Sequence, residues 1–225
     1  MNDLISVIIP VRNGEKYLQE AINGIKKQNM NVEIIVVDDY SKDNTLKIAK
    51  NSDCRIIEHN VQKGPVVAKN TGIKEAQGKY ILFHDCDDIM TDNALCKMYK
   101  ELSEDEGLSV VEAKITDFYS PELNENERNK IQIKAESYWG LFTGAILMRK
   151  NIFDKIGLFD ETLQAGEILD WYSKMNASEL IIKKLDFVSV KRRIHLSNFG
   201  RVKKDSEFKD YASILRAKLK GKINS

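Results

Sequence analysis

Three carboxylates, Asp85, Asp87 and Asp88, fall within four residues, with Cys86 between the first two. Like charges this close disfavour ionisation of all three, so a chain that gathers them calls for a cation. Oxygen-only ligands with few protein contacts suit Mg²⁺ or Mn²⁺, above all where a substrate phosphate completes the shell. The same residues also suit a polar turn in which an Asp caps the next helix, and taken alone they leave both readings open. A second pair of acids, Glu167 and Asp170, has the spacing that puts both on one face of a helix, with Trp171 beside them. The alternative for that pair is an exposed acidic face next to a core Trp. A third group, Arg193 and His195, closes a β-like run near the end of the chain.

The acidic cluster must be positioned by what precedes it. Tyr80 to Phe83 is a short apolar run rich in β-formers, as expected of a strand covered on both faces. Leu4 to Val11 and Val32 to Val37 are runs of the same kind, and the second also ends in acids, Asp38 and Asp39. Cys54 to Glu58 reads as a further strand. Helical spacing follows each of the first three: Glu15 to Gln28, Lys42 to Lys50 opened by Ser41, and Val66 to Ala76 between Pro65 and Gly78. Strand and helix alternate four times in about ninety residues, which predicts a mainly parallel, mixed α/β sheet with helices on both faces. In such sheets ligands bind at the carboxyl ends of the strands. Alternate strand residues face opposite sides, so His84 and the Cys86 side chain should point away from the ligands.

Later elements are a helix over Thr91 to Ser103, a strand over Leu108 to Ile115, and β-like sequence over Trp139 to Met148. A short helix over Asn151 to Ile156, a helix over Gly166 to Ala177 and a last strand over Phe187 to Ile194 follow. Residues 117–134 are polar and acid-rich and carry no clear period. Trp139 and Phe142 are candidates for an acceptor site, with core packing the stronger reading of Phe142. Residues 201–225 form a basic tail with apolar residues at helical spacing, an amphipathic helix that would pack on the domain, on a second copy, or on an anionic membrane surface. The expected organisation is one domain over 1–200 and a helical tail over 201–225.

Lys plus Arg number 35 against 34 Asp plus Glu, a formal net charge of +1, which gives no general attraction for nucleic acid. Three cysteines with no zinc spacing suggest reduced thiols and a cytoplasmic setting, at most peripheral at the inner face of a membrane. The first strand starts almost at Met1, so no leader is expected, and no apolar run is long enough to span a bilayer.

The order SVIIPVRNGEKYLQEAI, VEIIVVDDYSKDNT, KGPVVAKNTGIKEAQGKYILFHDCDD, with GLFDE and RIH later, resembles family 2 glycosyltransferases of GT-A fold. The resemblance is strong over residues 4–90 and weaker over 139–200. It implies transfer of a sugar from a nucleotide sugar, a UDP-sugar first, to a hydroxyl acceptor with inversion. It implies that Pro10, Val11, Arg12 and Asn13 frame the nucleoside and that Asp39 takes the base. Lys69 reaches the nucleotide, and the Asp85-Cys86-Asp87 segment carries the divalent metal and the donor diphosphate. His195 would reach the metal and Arg193 the diphosphate. Acceptors left open are a glycan, a lipid-linked sugar or a peptide.

The sequence departs from the family pattern at three places. Arg12 stands where the family usually has Tyr, and Lys69 where it usually has Arg, whose bidentate fork a lysine cannot copy. Ile168 stands where the family has the second acid of an adjacent Glu-Asp, its usual catalytic base. Asp170 is the first choice to replace it and Glu167 the second, with Trp171 placed to stack on a sugar. Loss of the adjacent pair also leaves room for a homologue that binds nucleotide sugar without turnover. A nucleotidyltransferase is the remoter alternative, because the loop after the first strand, Arg12-Asn13-Gly14-Glu15, has one glycine and an acid where a triphosphate cradle needs glycines and cations.

Overall fold

The computed structural model describes residues 3–198 apart from 132, 135, 164 and 165. The expected tail helix lies outside the described residues. The framework is one eight-stranded mixed sheet, built on the alternation expected from the first ninety residues. Strands β1 (Ile5–Val11), β2 (Val32–Asp38), β3 (Arg55–Glu58) and β4 (Tyr80–Phe83) are parallel and ordered β3-β2-β1-β4. Helices α1 (Leu18–Lys26), α2 (Thr45–Lys50) and α3 (Pro65–Glu75) connect them. Beyond β4 come β5 (Ile89–Met90), α4 (Ala94–Glu104), β6 (Leu108–Tyr119), α5 (Glu125–Asn129), β7 (Ile146–Arg149), α6 (Ile152–Ile156), α7 (Glu167–Ala177) and β8 (Ile181–Ile194). The sheet continues β4-β7-β6-β8-β5, with β7 antiparallel to both neighbours and β8 parallel to β6.

Alternation sorts the apolar side chains onto two faces. Ile5, Val7, Ile9, Val36 and Leu82 meet Leu18, Ile22 and Ile25 of α1 and Leu95, Met98 and Leu102 of α4. Ile8, Ile35, Val37, Ile81 and Phe83 meet Val66, Ala68 and Ile73 of α3 and Trp171 and Met175 of α7. Trp171 is therefore core and not a sugar platform: it is fully buried, stacks on Phe153 at 5.4 Å, and donates Nε1–H to the Gly157 carbonyl at 3.3 Å. Phe142 packs against a small cluster with Ile115, Ala145 and Val190, as the packing reading expects.

Helix α3 can lie this close to β1 because Gly72 has no side chain. A Cβ there would come within 2.3 Å of Ile8 Cγ2. Gly72→Ala is expected to cost about 1–3 kcal/mol of unfolding free energy by overpacking, measured by denaturant unfolding with an unchanged m-value.

Several helices start later than their spacing predicts. Helix α2 begins at Thr45 and not behind Ser41. The intervening side chains hold the backbone in another form: Asp38 Oδ2 accepts from Ser41 N at 3.0 Å, Asn13 Oδ1 from Lys42 N at 2.8 Å, and Asp43 Oδ1 from Thr45 N at 3.0 Å. Strands β6 and β8 run longer than predicted and are paired through register shifts around Lys114. Within the polar stretch, Asn124 and Glu127 form a capping box that opens α5.

Candidate active site

The carboxyl ends of β1, β2 and β4 lie side by side, with Val11 opposite Asp38 in the register and Phe83 opposite Ile8. β4 ends in the acidic cluster. Asp85, Asp87 and Asp88 each bring one carboxylate oxygen to a common point, all within 4.8 Å of one another. None of them caps a helix: the next one, α4, starts at Ala94 with Asn93 before it. Asp88 is buried, Oδ1 accepts from Arg193 N at 2.8 Å, and Oδ2 has no partner among the described residues. Burial pushes Asp85 up to about 6, with Asp87 and Glu167 adding repulsion against the pull of Lys69 and Arg192. Burial also lifts Asp88 well above the usual carboxylate range, reinforced by Asp87 and Asp85. A buried, unpartnered carboxylate oxygen among three converging carboxylates fits a divalent cation.

His195 belongs to this cluster. Its Nε2 is 2.8 Å from Asp87 Oδ2 and its Nδ1 is 2.9 Å from Ser197 Oγ. Asn198, which no sequence pattern singles out, also donates to Asp87 Oδ2, at 3.3 Å, and closes the turn by accepting from His195 N at 2.6 Å. Arg193 has a different task from the expected diphosphate contact. It is buried, donates Nε–H to the Asp87 carbonyl at 2.8 Å, pairs with Glu20, and is covered by Tyr17 and Phe118 at 4.7 and 4.8 Å. It fixes the acidic loop against α1. His84 is buried with both ring nitrogens unpartnered among the described residues, and burial pulls it down to about 4, as suits a neutral structural imidazole. Cys86 points its sulfur at Gly14, where a Cβ would stand 3.2 Å away.

Lys69 Nζ lies 2.7 Å from Glu167 Oε1, both buried. Burial alone would depress the lysine, but Glu167 and Asp85 outweigh it and hold it above its ordinary value. Glu167 is thus joined to the acidic cluster through Lys69 and through its own repulsion of Asp85. Asp170 is not: its Oδ2 sits 2.7 Å from Lys174, one turn on along α7. The shared helix face expected for the two acids divides, Glu167 toward β4 and Asp170 toward its own helix. Asn70, next to Lys69, carries no sequence signal of its role either. It donates to the Phe159 carbonyl and to Glu161 Oε1, each at 2.9 Å, and accepts from Phe159 N at 3.1 Å. That clamp ties the Gly157-Leu-Phe-Asp160 segment to α3.

At the nucleoside end, Asn13 adopts a positive φ of 53° and Asn13 N donates to Ser41 Oγ at 2.8 Å, which joins the loops after β1 and β2. Arg12 and Asn13 are exposed there, beside the half-buried Pro10 and buried Val11. Asp39 is buried and accepts from Lys63 N at 2.7 Å, Gly64 N at 2.8 Å and the His59 ring at 2.9 Å. These bonds outweigh burial and hold its carboxyl below the usual range. Asp38 keeps a buried Oδ1 without a partner among the described residues. A carboxyl depressed in the folded state adds stability above its unfolded value of about 3.9, and that stability is lost as pH falls through the lower folded value. Asp39→Asn should therefore lower the melting temperature at neutral pH and flatten its acid-side decline, measured by thermal scans from pH 7 to 3.

Cys54, Cys86 and Cys96 are free thiols. No helix among the described residues is long and apolar enough to cross a membrane.

Comparison with known proteins bears on the family and the fold. A glycosyltransferase from Rickettsia prowazekii, RP339, is 32% identical over 208 residues, covering 85% of this chain and 64% of that protein. Staphylococcus aureus TarS, solved as residues 1–349 with UDP, superposes with a TM-score of 0.70 at 22% identity, over 96% of this chain and 64% of that one. The mannosyltransferase PcManGT of Pyrobaculum calidifontis, solved with GDP-Man and Mn²⁺, gives a TM-score of 0.72 at 16% identity, over 96% of this chain and 65% of that one. The chain spans between about a third and two thirds of the length of the first curated relatives it matches. The profile of glycosyl transferase family 2 matches residues 6–157, and with the mixed sheet of the GT-A fold around it, the chain belongs to that family.

Proposed function

We propose that the protein transfers a sugar from a nucleotide sugar, a UDP-sugar in the first instance, to a hydroxyl of a growing glycan, a lipid-linked sugar or a peptide, with inversion. The observation that carries this reading is the meeting of Asp85, Asp87 and Asp88 at the end of β4, with His195 against Asp87. Asp85, Asp87 and His195 would hold Mg²⁺ or Mn²⁺, which when bound neutralises the charge that develops on the departing diphosphate. UDP in the TarS structure supports the uracil nucleotide, and GDP-Man with Mn²⁺ in PcManGT supports the metal and keeps guanine as the competing base.

The chain's own residues supply the remaining steps. The loops joined by Asn13 and Ser41 seat the nucleoside, with Asp38 Oδ1 and Asp39 as the acceptors for a base N–H. Glu167, facing the acidic cluster, takes the proton of the acceptor hydroxyl as it attacks, and Asp170 stands second. Product analysis by NMR in a single turnover tests the reaction: a transferred sugar with inverted anomeric configuration is expected, and a retained configuration contradicts the step assigned to Glu167.

One observation favours a second reading. Ile168 occupies the usual base position, and both nearby acids carry lysine partners, Lys69 and Lys174. A binder of nucleotide sugar without turnover would show that pattern. It predicts nucleotide binding in the parent protein together with no product in any acceptor screen.

A further inference from the structure

A donor diphosphate needs cationic side chains as well as a metal. Of the cations drawn to the acidic cluster, Lys69 is committed to Glu167, and Arg193 is committed to Glu20 and enclosed by two rings. Arg12 stands at the nucleoside end, in the loop after β1. Arg192 differs from all three. It precedes Arg193 on β8, and alternation turns it to the opposite face. Its neighbour Lys191 pairs with Ile89, the residue after Asp88, so the strand carries Arg192 past the acidic cluster. The next residue, Arg193, donates its backbone N–H to Asp88 Oδ1 at 2.8 Å, so the chain at Arg192 runs directly beside that carboxylate. The Arg192 side chain is 38% exposed.

Arg192 is also held in place. Asp117 on β6, opposite it in the register, presents a carboxylate that is 4% exposed. Arg192 Nε lies 3.1 Å from Asp117 Oδ1, and Nη2 donates to Oδ2 at 3.4 Å. Tyr138 donates its hydroxyl to Asp117 Oδ1 at 2.9 Å, and burial with the neighbouring acid pushes that phenol up to about 12, so it remains a donor. Tyr138 is itself fixed by an antiparallel bridge to Ile115. Asp117 faces the Nε–Nη2 edge of the guanidinium, with Nη2 as the hydrogen-bonding nitrogen and Nε held by charge alone, and Nη1 has no protein partner among the described residues. A planar fork held along one edge presents its other edge to a phosphate.

We infer that Arg192 is the side chain that binds the phosphate groups of the donor, and that Asp117 and Tyr138 are positioning residues which aim it past the Asp85–Asp88 cluster. This rests on the nucleotide-sugar reading. It adds a phosphate contact at a residue adjacent to, and facing away from, the one the sequence pattern selects.

The test compares UDP and GDP, by calorimetry in Mn²⁺, with uridine and guanosine, by NMR chemical-shift titration. The proteins are the parent, Arg192→Ala, Arg192→Lys and Tyr138→Phe, with melting curves to confirm folding. Loss of a charged hydrogen bond should weaken diphosphate binding about tenfold or more in Arg192→Ala, and the nucleoside should bind as to the parent. Arg192→Lys should recover part of the loss, and Tyr138→Phe should weaken the diphosphate by a smaller factor with the nucleoside again unmoved. Equal losses for nucleoside and diphosphate would show a structural role and overturn the inference. Unchanged diphosphate affinity in Arg192→Ala would overturn it too, whatever happens to an acceptor's KM. A parent that binds neither diphosphate overturns the donor reading itself, an outcome separate from both.

Discussion

Asp87→Ala is expected to lower sugar transfer on the order of a thousandfold or more, the loss that follows when charge on a leaving group goes unneutralised. Asp87 is the point where the site's parts join. Its carboxylate meets Asp85 and Asp88, takes His195 at 2.8 Å and Asn198 at 3.3 Å, and its carbonyl takes Arg193 at 2.8 Å. Alanine keeps the carbonyl bond and removes only the carboxylate, so the loop remains anchored and the effect reads ligand loss. His195 then loses the partner of its Nε2 but keeps Ser197 Oγ at Nδ1, and Asn198 keeps the Arg193 carbonyl at 3.0 Å. The check is turnover across a Mn²⁺ series, alongside a melting curve. Normal folding with no metal-dependent activity is the expected result, and wild-type turnover would remove Asp87 from the site.

Glu167→Gln is the second large effect. Loss of a general base lowers turnover about a hundredfold to ten-thousandfold. The amide oxygen of the substituted side chain can still accept from Lys69, but the buried ammonium is left without its counter-ion, and breaking a buried pair costs about 3–5 kcal/mol. Melting temperature must therefore be measured with kcat. Asp170→Asn is the control that separates the two acids. Its partner Lys174 is half exposed, and an i,i+4 pair of this kind is worth about 0.3–0.5 kcal/mol. Asp170→Asn is expected to retain nearly full turnover while Glu167→Gln loses it. The reverse order would restore Asp170 as the base and leave Glu167 as the support of Lys69.

The parts of this arrangement that are legible in the sequence are those set by short-range pattern. Buried parallel strands read as unbroken apolar runs, and the run that predicts β4 has the strand's own bounds, Tyr80 and Phe83. The acids at its end stand where the pattern puts them, at the carboxyl terminus of a strand, and His195 stands just past β8 as the order of segments predicts. Less legible is anything decided by a distant partner. Ser41 and Lys42 have a helical look but are taken up by Asp38 and Asn13. β8 opens Ile181-Ile182-Lys183-Lys184-Leu185, which follows no period-2 alternation, and its pairing with β6 crosses register shifts. Trp171 shares a helix with two acids, yet its facing is settled by Phe153 and Phe159, which lie in other segments. Arg192 and Arg193 are adjacent and alike in sequence, and only the strand's alternation against Glu20 and Asp117 separates their tasks.

The most direct measurement of the central claim is calorimetry of UDP, then GDP, on the parent chain in Mn²⁺ and again in EDTA. One of the two, UDP first, is expected to bind in Mn²⁺ and to lose most of its affinity in EDTA. Equal affinity in EDTA would contradict a metal at Asp85, Asp87 and His195, and no binding of either nucleotide in Mn²⁺ would contradict a nucleotide-sugar donor altogether.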